Sequence, residues 1–545
     1  MPEPALPGAG GRARSGAAAV LAAAGLAARA AAPNGAGVMK LRLALNAWSN
    51  LLGAAVPALV MLGTVPLVVR GLGEAGYGVY SLVTAIVGYF AVIDINLTAG
   101  SVKYIAQHRA NGDARQVAET LSFGLATYVA IGLLGALGIW LSAAWLIEAV
   151  FAVPAALRLE ASATLQLAAL AFLCGQLQIY LNSVPQSLMR YDISGRLEMA
   201  FGTLVPLATV GVLALGGGLF EVVLLRVVAS AIHALVLWRA VRRLLPDWRW
   251  RWPGAGVRAA LLRFSGWTFL SRFAALSYAH ADKLVIGALV GVAGLAYFTV
   301  AATLANRVLG LSFRLSAVAF PAASALAARG ELARLDAVYL KATRYVVYLN
   351  AAILVLLTVF AHRILGYWMD AAFARHGATI LALMALSQFV DSLTSLPSLV
   401  NDGMGHPRVS GLFAVVRALA GLGMVYAGVA GWGILGAAWG HLATSLLFAT
   451  AFLVYVHGRT VPTPLRRLLV HGYVPGLAGI APVAIAAGAA EALLDDSLGA
   501  FLAILAATVL LLALHGALFV IERGDRDLAW ARLKTRCQPA RARAG

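Results

Sequence analysis

This sequence is short of acid: 23 Asp and Glu stand against 42 Lys and Arg, and charged residues of both signs fill only 12% of 545 positions. Soluble domains carry roughly 25% charge and roughly 45–50% apolar residues. Here the apolar share is 61%, which excludes an ordinary soluble domain and suits hydrocarbon as the solvent. Cysteine is nearly absent. Cys174 falls inside an apolar run and Cys537 in the tail, too far apart in depth to pair, so no disulfide framework is expected. No Cys/His cluster has zinc spacing and no GxGxxG follows a strand pattern, so no metal or other cofactor is expected. Ten-residue alternation is missing too, which favours helices over barrel strands.

What the chain does have is apolar runs of roughly 17–25 residues, each long enough to cross ~30 Å of hydrocarbon at about 1.5 Å per residue. They fall near 46–69, 77–98, 120–144, 161–181, 200–217, 222–238, 265–290, 295–321, 345–361, 378–399, 409–428, 434–456, 473–490 and 498–521. The expected fold is all-α, a polytopic membrane protein of about fourteen transmembrane helices. Connections such as Arg70–Gly76, Gly291–Gly294 and Val429–Gly433 are too small for a folded domain. Residues 1–38, rich in Ala, Gly, Pro and Arg, read as a disordered extension or a start assigned too early, because Met39-Lys40-Leu41-Arg42 stands just before the first run. A signal peptide is the lesser reading.

A net charge of +19 would suit nucleic acid if it formed a basic domain. It does not. Of the 42 basic residues, 32 lie in segments of one side, 4 on the other and 6 inside the runs. That asymmetry is the positive-inside pattern, which places both termini in the cytoplasm and leaves no nucleic-acid surface. The stretch Arg239–Arg263 holds seven arginines and alternates some of them with Trp248, Trp250 and Trp252, as suits a segment at headgroup level. It follows six runs and precedes eight, the natural joint between two lobes.

An internal echo supports two lobes. Gly73-Glu74-Ala75-Gly76-Tyr77-Gly78-Val79-Tyr80 follows the first run, and Gly291-Val292-Ala293-Gly294-Leu295-Ala296-Tyr297-Phe298 follows the seventh, 218 residues later. Units of an even number of spans keep one orientation, so the lobes would be related about the membrane normal. The expected organisation is a first lobe at 39–238, a basic linker at 239–264, a second lobe at 265–456, two further helices within 457–521 and a basic tail at 522–545.

These two segments carry a resemblance. Arg70-Gly71-Leu72-Gly73-Glu74-Ala75-Gly76-Tyr77-Gly78-Val79-Tyr80, then Asp94 and Lys103-Tyr104-Ile105-Ala106, and in the second lobe Ala281-Asp282-Lys283-Leu284-Val285-Ile286-Gly287 with Gly294-Leu295-Ala296-Tyr297, resemble the polysaccharide-transport branch of the multidrug/oligosaccharidyl-lipid/polysaccharide exporter superfamily, which includes the Wzx-type O-antigen flippases. The resemblance covers roughly residues 40–525 and departs at Ile95-Asn96-Leu97, where the family usually has a glycine after Asp94. It implies a bacterial inner-membrane flippase, not an enzyme, that moves undecaprenyl-diphosphate-linked oligosaccharide by alternating access. Its partners would be that substrate, membrane lipids and the polysaccharide polymerase machinery.

The candidate site residues are the ionisable groups inside the runs, each costing several kcal/mol unless it finds a partner or a watery cavity. Arg272 and Lys283 share a face of the seventh run, Arg307 and Arg314 a face of the eighth. Arg272 and Arg314, both near the cytoplasmic end, are candidates to clamp a diphosphate, for which planar guanidinium suits. Snorkelling to headgroups is the equal alternative. Asp282 would hold Lys283 or Arg307, and Arg226 would line the same cavity or reach headgroups beside Glu221. Asp94 is expected to cap a span or gate, Asp391 to pair structurally with Arg417, and His233 to be packed. Rival readings are a cation-coupled multidrug exporter, disfavoured because 46–69 has no Asp or Glu, and a lipid II flippase. An integral-membrane glycosyltransferase or ligase would need a larger outer segment than Trp145–Glu160 or His362–Gly377.

Overall fold

The computed structural model describes residues 36–91, 97–256, 258–259, 261, 280–316, 323, 326–327, 329–493 and 497–527. All regular structure among them is helical, as hydrocarbon requires of a chain that must satisfy its backbone groups within each segment. Ten helices among the described residues are long and apolar enough to cross a membrane, and the chain is a multi-pass membrane protein.

Helix α1 (Ala36–Phe90) has 55 residues, about 80 Å at 1.5 Å per residue and far more than one crossing. Gly73 breaks it, with φ 72° and ψ 167° that a residue with a Cβ adopts only under strain. There follow α2 (Leu97–Ala110), α3 (Ala114–Trp145), α4 (Ala155–Ser187), α5 (Tyr191–Ala214) and α6 (Leu219–Leu244). Beyond the joint come α7 (280–289) and α8 (Val292–Ser316), α9 (Leu332–Val359), α10 (Ala361–Trp368), α11 (Ala371–Ser392) and α12 (Ser395–Gly403). Helix α13 (Pro407–Arg459) has 53 residues and breaks at Trp432-Gly433. Its arms fold back so tightly that Gly428 meets the Gly436 backbone and a Cβ on Gly440 would lie 2.7 Å from the Met424 carbonyl oxygen. Small residues allow that approach, the usual way helices pack in lipid. The segment Leu465–Leu493, which ends in α14 (Ile480–Leu493), and then α15 (Leu498–His515) complete the chain. Two of these helices, broken at Gly73 and at Trp432-Gly433, fold into two arms each.

Helices α3 to α6 pack with α1 and with one another, and α8, α9, α11 and α13 do the same. The two sets meet through α1, α7 and α8, where Gly78 abuts Val292, Leu82 abuts Gly287 and Gly88 abuts His280. The segments expected as outer connections are part of this packing. After α3 a wide turn at Leu146–Val150 buries Ile147, Phe151 and Val153, and the Ala152 N–H donates to the Gly287 carbonyl at 3.1 Å. In His362–Gly377, α10 buries Arg363 and Leu365, and Trp368 Nε1 donates to the Leu62 carbonyl at 3.0 Å. Several helices also outrun their apolar runs. Helix α3 starts six residues earlier than expected, where Asp113 caps it by accepting from the Gln116 N–H at 2.9 Å.

The positive-φ residues repeat. Gly73, Gly112, Met189 and Gly216 are followed 218, 218, 216 and 217 residues later by Gly291, Gly330, Gly405 and Gly433. The basic joint lies against the first set: Arg251 N–H donates to Ser122 Oγ at 3.1 Å, and Arg242 stacks over Trp238 and Trp248. Trp248 is buried, whereas Trp250 and Trp252 are 54% and 60% exposed.

The last two helices are fastened to the second set by polar contacts near both ends of α9. Arg363 pairs with Glu491 at 2.7 Å. At the other end Lys341 bridges Glu522 (3.2 Å) and Asp525 (2.5 Å), Arg344 pairs with Glu522, and Tyr345 OH donates to Asp525 at 2.7 Å. The Lys341 ammonium, and then the Tyr345 hydroxyl, lower the Asp525 pKa below the ordinary carboxylate value. A carboxyl lowered on folding stabilises above its unfolded value of about 4 and stops doing so as pH falls through the folded value. This exposed contact contributes under about 1 kcal/mol. Acidification below about pH 4 is therefore expected to loosen residues 522–527, read as faster reaction of a spin label or thiol probe there. Asp525→Asn should show the same looseness at neutral pH and no further change on acidification.

Candidate functional site

A cavity of about 460 Å³ opens between α1, α5, α6 and α8. Its wall combines prolines inside helices with polar side chains: Pro57 and Thr64 on α1, Pro206 and Thr209 on α5, Ser230 on α6. Near one end the two helix sets are sealed together. Tyr297 OH donates to Glu74 Oε2 at 2.5 Å, Arg70 Nη2 to the Met369 carbonyl at 2.9 Å, and Trp368 to Leu62 as above. The breaks at Gly73 and Gly291 lie at this end.

Among the described residues two guanidinium groups face the cavity, at different depths. Arg226 stands seven residues into α6, about 10 Å from the sealed end at 1.5 Å per residue. Its Nη1 donates to Tyr80 OH, and its plane lies over the Tyr80 ring, 5.4 Å from the centroid. Arg307 stands fifteen residues into α8, about 22 Å from the same end. It is exposed to the cavity and makes no hydrogen bond or ion pair among the described residues. His233 stacks on Phe201, with centroids 4.2 Å apart and planes within 6°, and both line the wall. Glu198 lines it from α5.

Of the residues singled out in the sequence, Arg226 and Arg307 are therefore brought to one space. Lys283 is not on that wall: its Nζ lies 3.6 Å from Asp282 Oδ1, and Asp282 is buried with His441 Nε2 3.3 Å from its other oxygen. Of the two cations expected beside Asp282, Lys283 is the one that lies against it. Asp391 and Arg417 pair at 2.5 Å beside a separate cavity of about 160 Å³ between α11 and α13. Arg272 and Asp94 lie outside the described residues, as does the Arg314 side chain. Tyr80, Phe201 and Glu198 were not foreseen. Tyr80 closes the repeated Gly-rich segment, which was its available signal. Glu198 stands two residues before the fifth apolar run, and nothing in a linear reading moves it into a cavity.

Comparison with known proteins adds three findings. The profile of the family described as "Polysaccharide biosynthesis protein" matches residues 67–373. A Shigella flexneri protein described as an O-antigen transporter is 40% identical over 70 residues, 13% of this chain and 17% of the relative, so the matched stretch spans about a sixth of that relative's length. Among solved structures, the lipid II flippase MurJ in an inward closed conformation superposes with a TM-score of 0.68 at 12% identity, over 88% of this chain and 99% of that one. An inward-facing multidrug resistance transporter of the MATE family superposes with a TM-score of 0.63 at 15% identity, over 77% of this chain and 99% of that one. At these identities the likeness is one of fold.

Proposed function

This chain belongs to the polysaccharide biosynthesis protein family, and from that premise we propose that it is a flippase for polyprenyl-diphosphate-linked oligosaccharide, working by alternating access. The observation that carries the reading is the cavity with Arg226 and Arg307 on its wall. Guanidinium binds phosphate through paired N–H donors, and a partly desolvated cavity strengthens such contacts. The polyprenyl tail would stay in lipid while the diphosphate and sugars occupy the cavity. The relative described as an O-antigen transporter supports this substrate class.

Orientation follows from charge. The basic segments, including Arg239–Arg263 and the tail, mark the cytoplasmic side, so the sealed Gly73–Gly291 end faces outward. The recurrence of four positive-φ residues at 216–218 positions supports two equivalent lobes that rock against each other. Arg307, nearer the cytoplasmic side, receives the diphosphate, and Arg226, nearer the sealed end, is the station from which it leaves. Arg272 and Arg314 remain candidates for the diphosphate clamp on their sequence positions alone. The fold-level likeness to a multidrug transporter does not favour drug export, because residues 46–69 bring no carboxylate to the cavity.

The test is translocation of a fluorescent lipid-linked oligosaccharide in proteoliposomes. Charged hydrogen bonds contribute about 1.5–3 kcal/mol each. The double variant Arg226→Ala/Arg307→Ala is therefore expected to slow translocation at least ~100-fold at unchanged protein content. A rate within a factor of two or so of wild type would overturn the reading. Arg272→Ala/Arg314→Ala in the same assay tests the clamp.

A further inference from the structure

Among the described residues the cavity wall carries one carboxylate, and its position is informative. Glu198 lies seven residues into α5, about 10 Å from the end that carries the basic joint. Arg307, about 22 Å below the Gly291 turn in a core about 30 Å thick, lies at nearly the same depth. The two belong to different helix sets. Neither makes a hydrogen bond or ion pair among the described residues. The other cation on the wall, Arg226, is already held by Tyr80, and His233 is stacked on Phe201.

Opposite charges left apart at membrane depth are costly, and the cost rises as water is excluded. Closing the cytoplasmic end around an empty cavity would trap the Arg307 charge without compensation. We propose that Glu198 is the resident counter-ion of Arg307, taking the place of the substrate's phosphate whenever the cavity is empty. A carboxylate offers guanidinium the same paired acceptors as a phosphate. The loaded protein closes with phosphate on Arg307, the empty one with Glu198 on Arg307, and the same arginine serves both passages. Substrate must then displace an internal competitor, so its apparent affinity is lowered by the fraction of protein already paired. Glu198 acts through Arg307 and is a positioning residue. The inference rests on the reading of Arg307 as a phosphate-binding group.

The test uses the full chain in detergent with farnesyl diphosphate as the anionic probe. Glu198→Gln is expected to tighten probe binding about tenfold, or ~1.4 kcal/mol, while lowering both KM and kcat for translocation. In an Arg307→Gln background the same substitution should change binding little. Equal tightening in both backgrounds would mean that Glu198 repels the anion on its own, and the pairing falls. A second readout needs no ligand. Glu198→Cys with Arg307→Cys, in a chain carrying Cys174→Ser and Cys537→Ser, should be joined by a short rigid bismaleimide, whereas Glu198→Cys with Arg226→Cys should not. No cross-link in the first pair overturns the proposal whatever the ligand. Cross-linking in a protein that binds no farnesyl diphosphate would support the pairing and sink the diphosphate reading instead.

Discussion

Replacing Gly78 with leucine is expected to open the sealed end and to abolish most of the conformation described above. Gly78 lies where α1, after its break, crosses the start of α8, and an added Cβ would overlap the Val292 carbonyl oxygen and carbon. A backbone carbonyl held in a helix cannot rotate away as a side chain can. Overpacking that only displaces side chains costs about 1–3 kcal/mol, and this contact exceeds that case. Since ~1.4 kcal/mol shifts a population tenfold, the sealed state should become the minor one. Tyr80→Cys, placed just below the seal, provides the probe. Its labelling by a membrane-impermeant thiol reagent from the outer side should rise at least tenfold in the Gly78→Leu background, with translocation nearly lost. Unchanged labelling would show that the two helix sets do not meet there. Gly88→Ala makes a useful contrast, because the obstacle is the His280 ring, which can swing aside.

The second large effect is on assembly. In Gly436→Leu the new side chain would enter the backbone of Gly428, and the two arms of α13 would have to separate along their length. That contact carries its neighbours with it: Gly440 rests on Met424, and Thr444 Oγ1 lies 3.3 Å from Met424 Sδ. Gly423→Leu changes the other arm of the same hairpin, at a position with nothing within 4 Å. Size-exclusion chromatography of detergent extracts should show most of the monodisperse Gly436→Leu protein lost and the Gly423→Leu protein close to wild type. Equal behaviour of the two would remove the hairpin from the description.

How far the sequence could be read depends on what each feature needs. The helices follow from apolar length alone, so every expected run has a helical counterpart where residues are described. Their ends do not, because charged side chains near the starts of α3 and α9 (Arg115 and Glu119, and Arg334, Asp336 and Lys341) lower the hydropathy of a window that then stops short of Ala114 and Leu332. The stretch after Trp145 read as a connection because it is short. Its burial of Phe151 against Gly287 is a contact 136 residues long-range, beyond any local pattern. Arg226 could be named from its charge inside a run, but its partner Tyr80 is 146 residues away. Lys283 shows the opposite limit. Periodicity gives the face a residue occupies, while the adjacent Asp282 decides whether its charge is available.

The joint between the helix sets has a mechanical consequence. From Arg242 to Gly254 it is pinned to the first set, through the Arg242 guanidinium bonded to the Trp248 carbonyl, the Arg251 backbone on Ser122 and the Gly254 backbone toward Glu119. Chain that is pinned gives no slack. Any swing of one set against the other must then be taken up after Gly254, so the effective tether is far shorter than the basic stretch suggests. A short tether limits the rotation available before the linkage is stretched taut, and it lets a pull on one set reach the other with little lost motion.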